Sequence, residues 1–172
     1  MHKQKGFTII ELIVVIAIIS LLSSIVVANV NGVRAKARDA RRLAEMKQIQ
    51  LALVMYFEKY GHYPYNTDND CSGWDTGYDK SANDSSFIQP LIDGGIMSYI
   101  PGDPTSTSQC GGYRYYRYSS GYSCDASRGA FFVLGTTDME TTGRPHPSSP
   151  GWNCPGRNWQ NEFDWVVGGY EK

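Results

Sequence analysis

Four sets of residues in this chain have the types and spacing to do chemistry. The first lies at the start. Gly6 precedes Phe7 directly after Lys3 and Lys5, and Glu11 follows four residues further on, inside an otherwise apolar stretch. A peptidase cut after Gly6 would leave a free amine on Phe7. That amine is a cation able to pair with the Glu11 carboxylate, on its own chain or on a neighbour's. An ionisable group within a membrane-length apolar segment is costly and usually has a partner.

The second set is the four cysteines, Cys71, Cys110, Cys124 and Cys154, all beyond the apolar stretch. None belongs to a C-x-x-C pair, which argues against a zinc or thiol-redox centre. An even number in a small exported domain points to two disulfides, with all three connectivities open. Closing a loop of tens of residues contributes about 3–4 kcal/mol. The third set is a polar loop from His62 to about Asp84, where Asn66, Asp68, Asp70, Asp75 and Asp79 suggest calcium. A helix-loop-helix calcium loop needs a central Gly and a terminal Glu. Counted from Asn66 those places hold Cys71 and Gly77, so that motif fails. A plain polar loop pinned by Cys71 is the expectation, an irregular calcium site the alternative.

The fourth set is Tyr113-Arg114-Tyr115-Tyr116-Arg117-Tyr118. Tyrosines interleaved with arginines can stack single-stranded bases or sugars. They equally suit a strand packed on a helix with its phenol groups at the rim, which is the expectation here. A net charge of −1 argues against a general nucleic-acid binder. The histidines are His2, His62 and His146, and no His-Glu-x-x-His, Gly-x-Ser-x-Gly or phosphate loop accompanies them. No enzymatic activity is expected.

The elements that must position these residues follow from periodicity. From Phe7 to Ala28 the one charged residue is Glu11. About 20 apolar residues at about 1.5 Å each match a hydrocarbon core of about 30 Å. Ser20, Ser23 and Ser24 fit such a helix by bonding back to its carbonyls. From Val33 to Tyr60 there is neither Gly nor Pro, and Leu43, Met46, Ile49, Leu53, Tyr56 and Tyr60 recur on one face. Arg41, Arg42, Glu45, Lys47, Gln48 and Glu58 fall mainly on the others. The basic stretch 34–42 reads as a solvated face or as salt bridges to Asp39 and Glu45, over contact with lipid headgroups or DNA. The simplest reading is one helix from Phe7 to Tyr60, about 80 Å long, with a possible kink at Asn29–Gly32, capped by Gly61 and stopped by Pro64. A short helix or turn is expected within 86–100, then strands over 112–118, 130–135 and 163–168, with a proline-broken loop from Thr136 to Gly151.

Gly-Phe-Thr-Ile-Ile-Glu-Leu-Ile-Val-Val-Ile-Ala-Ile-Ile, from Gly6, resembles the prepilin signature of type IV pilins and type II secretion pseudopilins. The signature covers about residues 5–30, though the proline that many members carry near Ala28 is absent. The resemblance implies cleavage after Gly6 by a prepilin peptidase, N-methylation of Phe7, and a Glu11 that docks each subunit into a growing helical filament. Partners implied are copies of itself and related pilins, the peptidase and methylase, an inner-membrane assembly platform, and lipid before assembly. Nucleic acid is not expected.

Organisation follows: leader 1–6, membrane and filament-core helix 7–30, amphipathic continuation 31–60, and a periplasmic or extracellular α+β head, 61–172. The fold class is α+β, a long helix on a small antiparallel sheet. Arg34, Lys36, Arg38, Arg41 and Arg42 outnumber the leader's lysines, and by charge bias alone would keep the head cytoplasmic. The leader outweighs that count, because a reducing compartment would leave the cysteines unpaired.

The globular part is more loosely similar to major pseudopilins, through Tyr60-Gly61-His62-Tyr63-Pro64 and Gly102-Asp103-Pro104. Major pseudopilins commonly hold calcium in their C-terminal loop. By that resemblance Asp138, Glu140, Glu162 and Asp164 are weak calcium candidates, without a residue-by-residue match. Pilus and pseudopilus stay unseparated. A minor pilin-like binder of DNA or glycans, and a membrane-anchored extracellular enzyme, are the alternatives.

Overall fold

The structure is a computed structural model that describes residues 6–67, 71–77, 87–106, 108 and 110–172, with the side chains of 25–29 outside that set. The chain divides into two compact units, Met1–Ala37 and Arg38–Lys172. One helix, α1, spans Ile9–Tyr60.

In the first unit, α1 continues without interruption through Asn29–Gly32, where a kink was a possibility. A single Gly costs a helix about 1 kcal/mol, which the uninterrupted helix formers after it offset. Ser20 donates to the Ile16 carbonyl at 2.7 Å and Ser24 to that of Leu21 at 2.7 Å, so these hydroxyls are satisfied within the helix. The large apolar side chains from Ile9 to Leu22 are 49–78% exposed, on every face. No helical stretch among the described residues is long and apolar enough to cross a membrane.

In the second unit, Met46, Ile49, Leu53 and Tyr56 of α1 are buried, while Tyr60, grouped with them by spacing, is 42% exposed. Gly61 ends the helix at φ +75°, donating to the Phe57 carbonyl at 2.7 Å. A four-stranded antiparallel sheet follows, comprising β1 (Asp75–Gly77), β2 (Tyr113–Tyr118), β3 (Phe131–Thr136) and β6 (Trp165–Tyr170) in the order β1-β2-β3-β6. β4 (Asn153–Cys154) and β5 (Arg157–Asn158) form a separate two-stranded ribbon. Between β1 and β2 lies one turn of helix, α2 (Pro90–Asp93).

Alternation sorts the strand side chains into two cores. Tyr113, Tyr115, Phe132, Leu134, Trp165 and Val167 pack with the buried face of α1. Tyr118, Phe131, Val133 and Val166 point the other way, into a cluster with Trp74, Trp159 and Phe163. Because both faces are covered, all six residues of β3 are buried, which is why it reads as an unbroken apolar run.

The first two long strands each begin one residue later than expected, and two departures are larger. The last strand runs Trp165–Tyr170 rather than 163–168, because Phe163 and Asp164 finish the turn after Trp159–Asn161 and Trp165 is the first residue paired with β3, opposite Thr136. β1 falls inside the segment expected to be loop, with Asp75 opposite Tyr115. Disulfides join Cys71 to Cys110, Cα atoms 5.0 Å apart, and Cys124 to Cys154, 4.9 Å apart. The first ties the loop before β1 to the start of β2, and the second ties the β2–β3 connection to the β4–β5 ribbon.

Candidate functional site

The N-terminal site is built on the first turn of α1. Thr8 precedes the helix, and its hydroxyl accepts from the Glu11 N–H at 3.3 Å. Glu11 reaches back, Oε2 accepting from the Thr8 N–H and hydroxyl, each at 2.8 Å. This reciprocal pair is a capping box, which satisfies amides that open a helix. It holds the carboxylate beside the residue that follows Phe7. The Thr-x-x-Glu pattern ahead of an apolar run was a legible signal for it, overlooked because Glu11 was considered only as a partner for an amine. Phe7 is 92% exposed. A Cβ added to Gly6 meets nothing within 4 Å among the described residues, so space there does not require glycine.

The second constellation lies within the head and was not foreseen. Arg42, assigned by spacing to an outer helix face, is fully buried, and Asp39 and Glu45 beside it are nearly so. Its Nε donates to Asp103 Oδ2 at 2.7 Å and its Nη2 to Oδ1 at 3.1 Å, a two-pronged grip. Nη1 donates to Asp39 Oδ1 at 2.9 Å and Glu140 Oε1 at 2.8 Å, and Nη2 also to Thr105 Oγ1 at 2.6 Å. Arg38 grips Glu140 a second time, Nε to Oε1 at 2.7 Å and Nη2 to Oε2. Asp39 accepts from the Glu140 N–H at 3.0 Å and the Thr141 N–H at 2.8 Å, pulling the β3–β6 loop onto α1. The salt bridges expected for the basic stretch are present as Arg42–Asp39 and Arg41–Glu45. The partners Asp103 and Glu140, 61 and 98 residues away, are what local spacing cannot show.

Charge balance sets the acidities. Burial alone would raise the Asp103 carboxyl, but hydrogen bonds from Arg42 and from the Thr105 and Ser106 amides hold it below its usual range. Asp39 is likewise held low against burial, by Thr141, the Glu140 amide and Arg42. Arg38, with Arg42 behind it, brings Glu140 down to about 2.

The four acids suggested as calcium ligands do not form a ligand set. Glu140 is spent on two arginines. Glu162 grips Arg157 through both oxygens, at 2.8 and 2.7 Å. Asp164 takes Arg144 Nε at 2.9 Å and the Met139 N–H at 3.1 Å, and Asp138 accepts from the Gly112 N–H at 2.9 Å. Among the described residues no three potential metal ligands converge. In the His62–Asp84 segment, Asp75 is buried in β1 and accepts from Thr67 Oγ1 at 2.8 Å and the Ile88 N–H at 3.0 Å. Asp68, Asp70 and Asp79 lie outside the described residues.

The Tyr-Arg strand behaves as packing. Tyr113 and Tyr115 are buried against α1, and their hydroxyls donate to Glu45 and to the Pro64 carbonyl. On the opposite face Tyr116 and Tyr118, with Trp74, Tyr122, Arg117 and Arg157, line a cleft of about 460 Å³. Both of its arginines are already paired, Arg117 with Glu171 and Arg157 with Glu162, so they offer little unspent charge to a phosphate backbone.

The family described as Prokaryotic N-terminal methylation motif is matched by residues 1–27. The chain is 42% identical over 62 residues to the type II secretion system core protein G of Escherichia coli strain K12, covering 36% of this chain and 43% of that one. With the core protein G of Aeromonas hydrophila it shares 30% over 106 residues, 60% of this chain and 68% of that one. With that of Vibrio cholerae serotype O1 it shares 33% over 106 residues, 60% of this chain and 67% of that one. No solved structure matches significantly.

Proposed function

The chain belongs to the pilin and pseudopilin family, alongside type II secretion system core protein G, and from that premise we propose that it is a structural subunit of a secretion pseudopilus. The names of those relatives favour a pseudopilus over a surface pilus. It is a substrate of processing enzymes and not itself a catalyst.

One observation carries the reading: an apolar helix exposed on every side from Ile9 to Leu22. Such a surface in water would cost about 25 cal/mol per Å², and a helix apolar all round belongs in lipid or inside an assembly. Before assembly, residues 7–30 sit in the cytoplasmic membrane with the head outside. After assembly the same surface packs against sister helices in the filament core. Residues 1–6 are removed by a prepilin peptidase, and the new Phe7 amine is methylated. Since the described residues leave room for a side chain at Gly6, the demand for glycine is assigned to the peptidase.

Glu11 has two consecutive roles in this scheme. In the free subunit it closes the capping box, and both bonds fall on Oε2. Its other oxygen is the acceptor for an incoming neighbour's Phe7 amine, which compensates the cost of carrying a carboxylate into an apolar core. Residues 31–60 and the head carry the lateral contacts to neighbours and to the inner-membrane assembly platform.

The test uses the full chain in a host with a working secretion system. Glu11→Ala should be cleaved normally, by immunoblot size and N-terminal sequencing, while sheared filaments drop to background. Gly6→Val should accumulate uncleaved. Normal filament yield from Glu11→Ala, or normal maturation of Gly6→Val, would refute the corresponding step.

A further inference from the structure

Membership of a family whose major members commonly hold calcium raises the question of what closes the β3–β6 loop here. The donor set does not fit a divalent cation. Each carboxylate in the loop region already carries a guanidinium or a backbone amide, and the one nearest α1, Glu140, has both oxygens on arginines. A hard dication needs about six to eight oxygens free to turn toward it. We propose that Arg42, seconded by Arg38, is a permanent counter-ion, built into the chain, that does the gathering a bound cation would otherwise do, making the closure of the β3–β6 loop onto α1 independent of divalent metal.

The geometry supports this in three ways. Arg42 has no exposed surface, so its charge is committed to the three carboxylates of Asp39, Asp103 and Glu140. Those carboxylates come from three segments far apart in sequence: α1, the turn after Ile100, and the β3–β6 loop. The planar guanidinium serves all three at once, with two prongs on Asp103 and one nitrogen shared by Asp39 and Glu140. The backbone is drawn in as well, since Asp39 takes the Glu140 and Thr141 amides and Asp103 those of Thr105 and Ser106. This is how a metal site organises loops, but with the cation supplied by the chain. The inference concerns the head and holds whether or not the chain polymerises.

Removing the guanidinium inverts the chemistry. Arg42→Gln leaves three carboxylates facing a space that a cation occupied, and that arrangement recruits a dication. The test is thermal unfolding of the full chain in detergent, with calcium removed by excess EGTA and again with excess calcium chloride. Wild type should melt at the same temperature in both. Arg42→Gln should melt lower, and calcium should recover part of the loss. A wild-type melting temperature that rises with calcium overturns the proposal, as does Arg42→Gln melting like wild type in EGTA or gaining nothing from calcium. If Arg42→Gln fails to fold, Arg38→Gln takes its place, because Arg38 lies at the rim. Hydrogen exchange at the Glu140 and Thr141 amides should then quicken about tenfold or more, as the two charged hydrogen bonds from Arg38 to Glu140 are lost, with β3 amides unchanged. Unchanged exchange at those two amides counts against the tether.

Discussion

Replacing Glu140 by Gln tests the clamp by titration. The amide keeps size and one acceptor oxygen but removes the charge that Arg38 and Arg42 hold. In the folded head this carboxyl is brought from an ordinary 4.5 to about 2. If fully realised, that depression corresponds to about 3.4 kcal/mol of stability. The side chain keeps 30% of its surface in water, so screening reduces the expected figure to about 1–2 kcal/mol. The sign follows from the folded value lying below the unfolded one. The contribution is complete above about 4.5 and disappears as pH falls toward about 2. Asp39 and Asp103 share Arg42 and titrate in both proteins, so the quantity to follow is the difference between wild type and Glu140→Gln. Urea unfolding of the full chain at intervals from pH 7 to 2 should give a difference of about 1–2 kcal/mol near neutrality that shrinks to nothing at the acid end. A difference that stays constant with pH would mean that Glu140 acts by shape and not by charge.

Other perturbations address the rest of the head. Replacing Cys124 and Cys154 together by Ser opens a loop with a sequence separation of 30 and should cost about 3.6 kcal/mol by chain entropy; Cys71 with Cys110, separated by 39, should cost about 3.9. Losses below about 1 kcal/mol in urea unfolding would show that the unfolded chain is little constrained by the bridges. Gly135→Ala would place a Cβ 2.7 Å from the Phe163 ring and 2.8 Å from the Trp165 carbonyl, so it should destabilise by about 1–3 kcal/mol, visible as a lower Tm. Phe132→Ala, emptying a site between Tyr63 and Tyr115, should cost about 3–5 kcal/mol in the same assay.

How much was legible in the sequence depended on the range of the interaction. The helix, its glycine stop, and the three long strands declare themselves in local periodicity, and the N-terminal methylation motif in a contiguous run. Burial on both faces of β3 follows from an unbroken run of Phe131 to Leu134. The clamp was invisible because Arg42 looks like any charged residue on an amphipathic helix until Asp103 and Glu140 arrive from elsewhere in the chain. β1 was hidden because three residues are too few for alternation to register, and its Asp75 mimics a ligand of a polar loop. The capping box was there to be read, but Glu11 had already been given a different partner.

A subunit proposed to polymerise through one end has to be prevented from polymerising through its sides. The outer margin of β6 is where that hazard lies, because an open strand invites another copy's strand to dock on it. Here the loop before the β4–β5 ribbon covers that margin at Val166: its carbonyl takes the Gly151 N–H at 3.1 Å, and its N–H goes to Ser149 Oγ at 3.0 Å. Pro147 and Pro150 in the same segment lack an N–H to offer to a newcomer. At Val166 the proline-rich stretch thus acts as a selvedge, finishing the edge of the sheet there, consistent with the proposed growth through the helix.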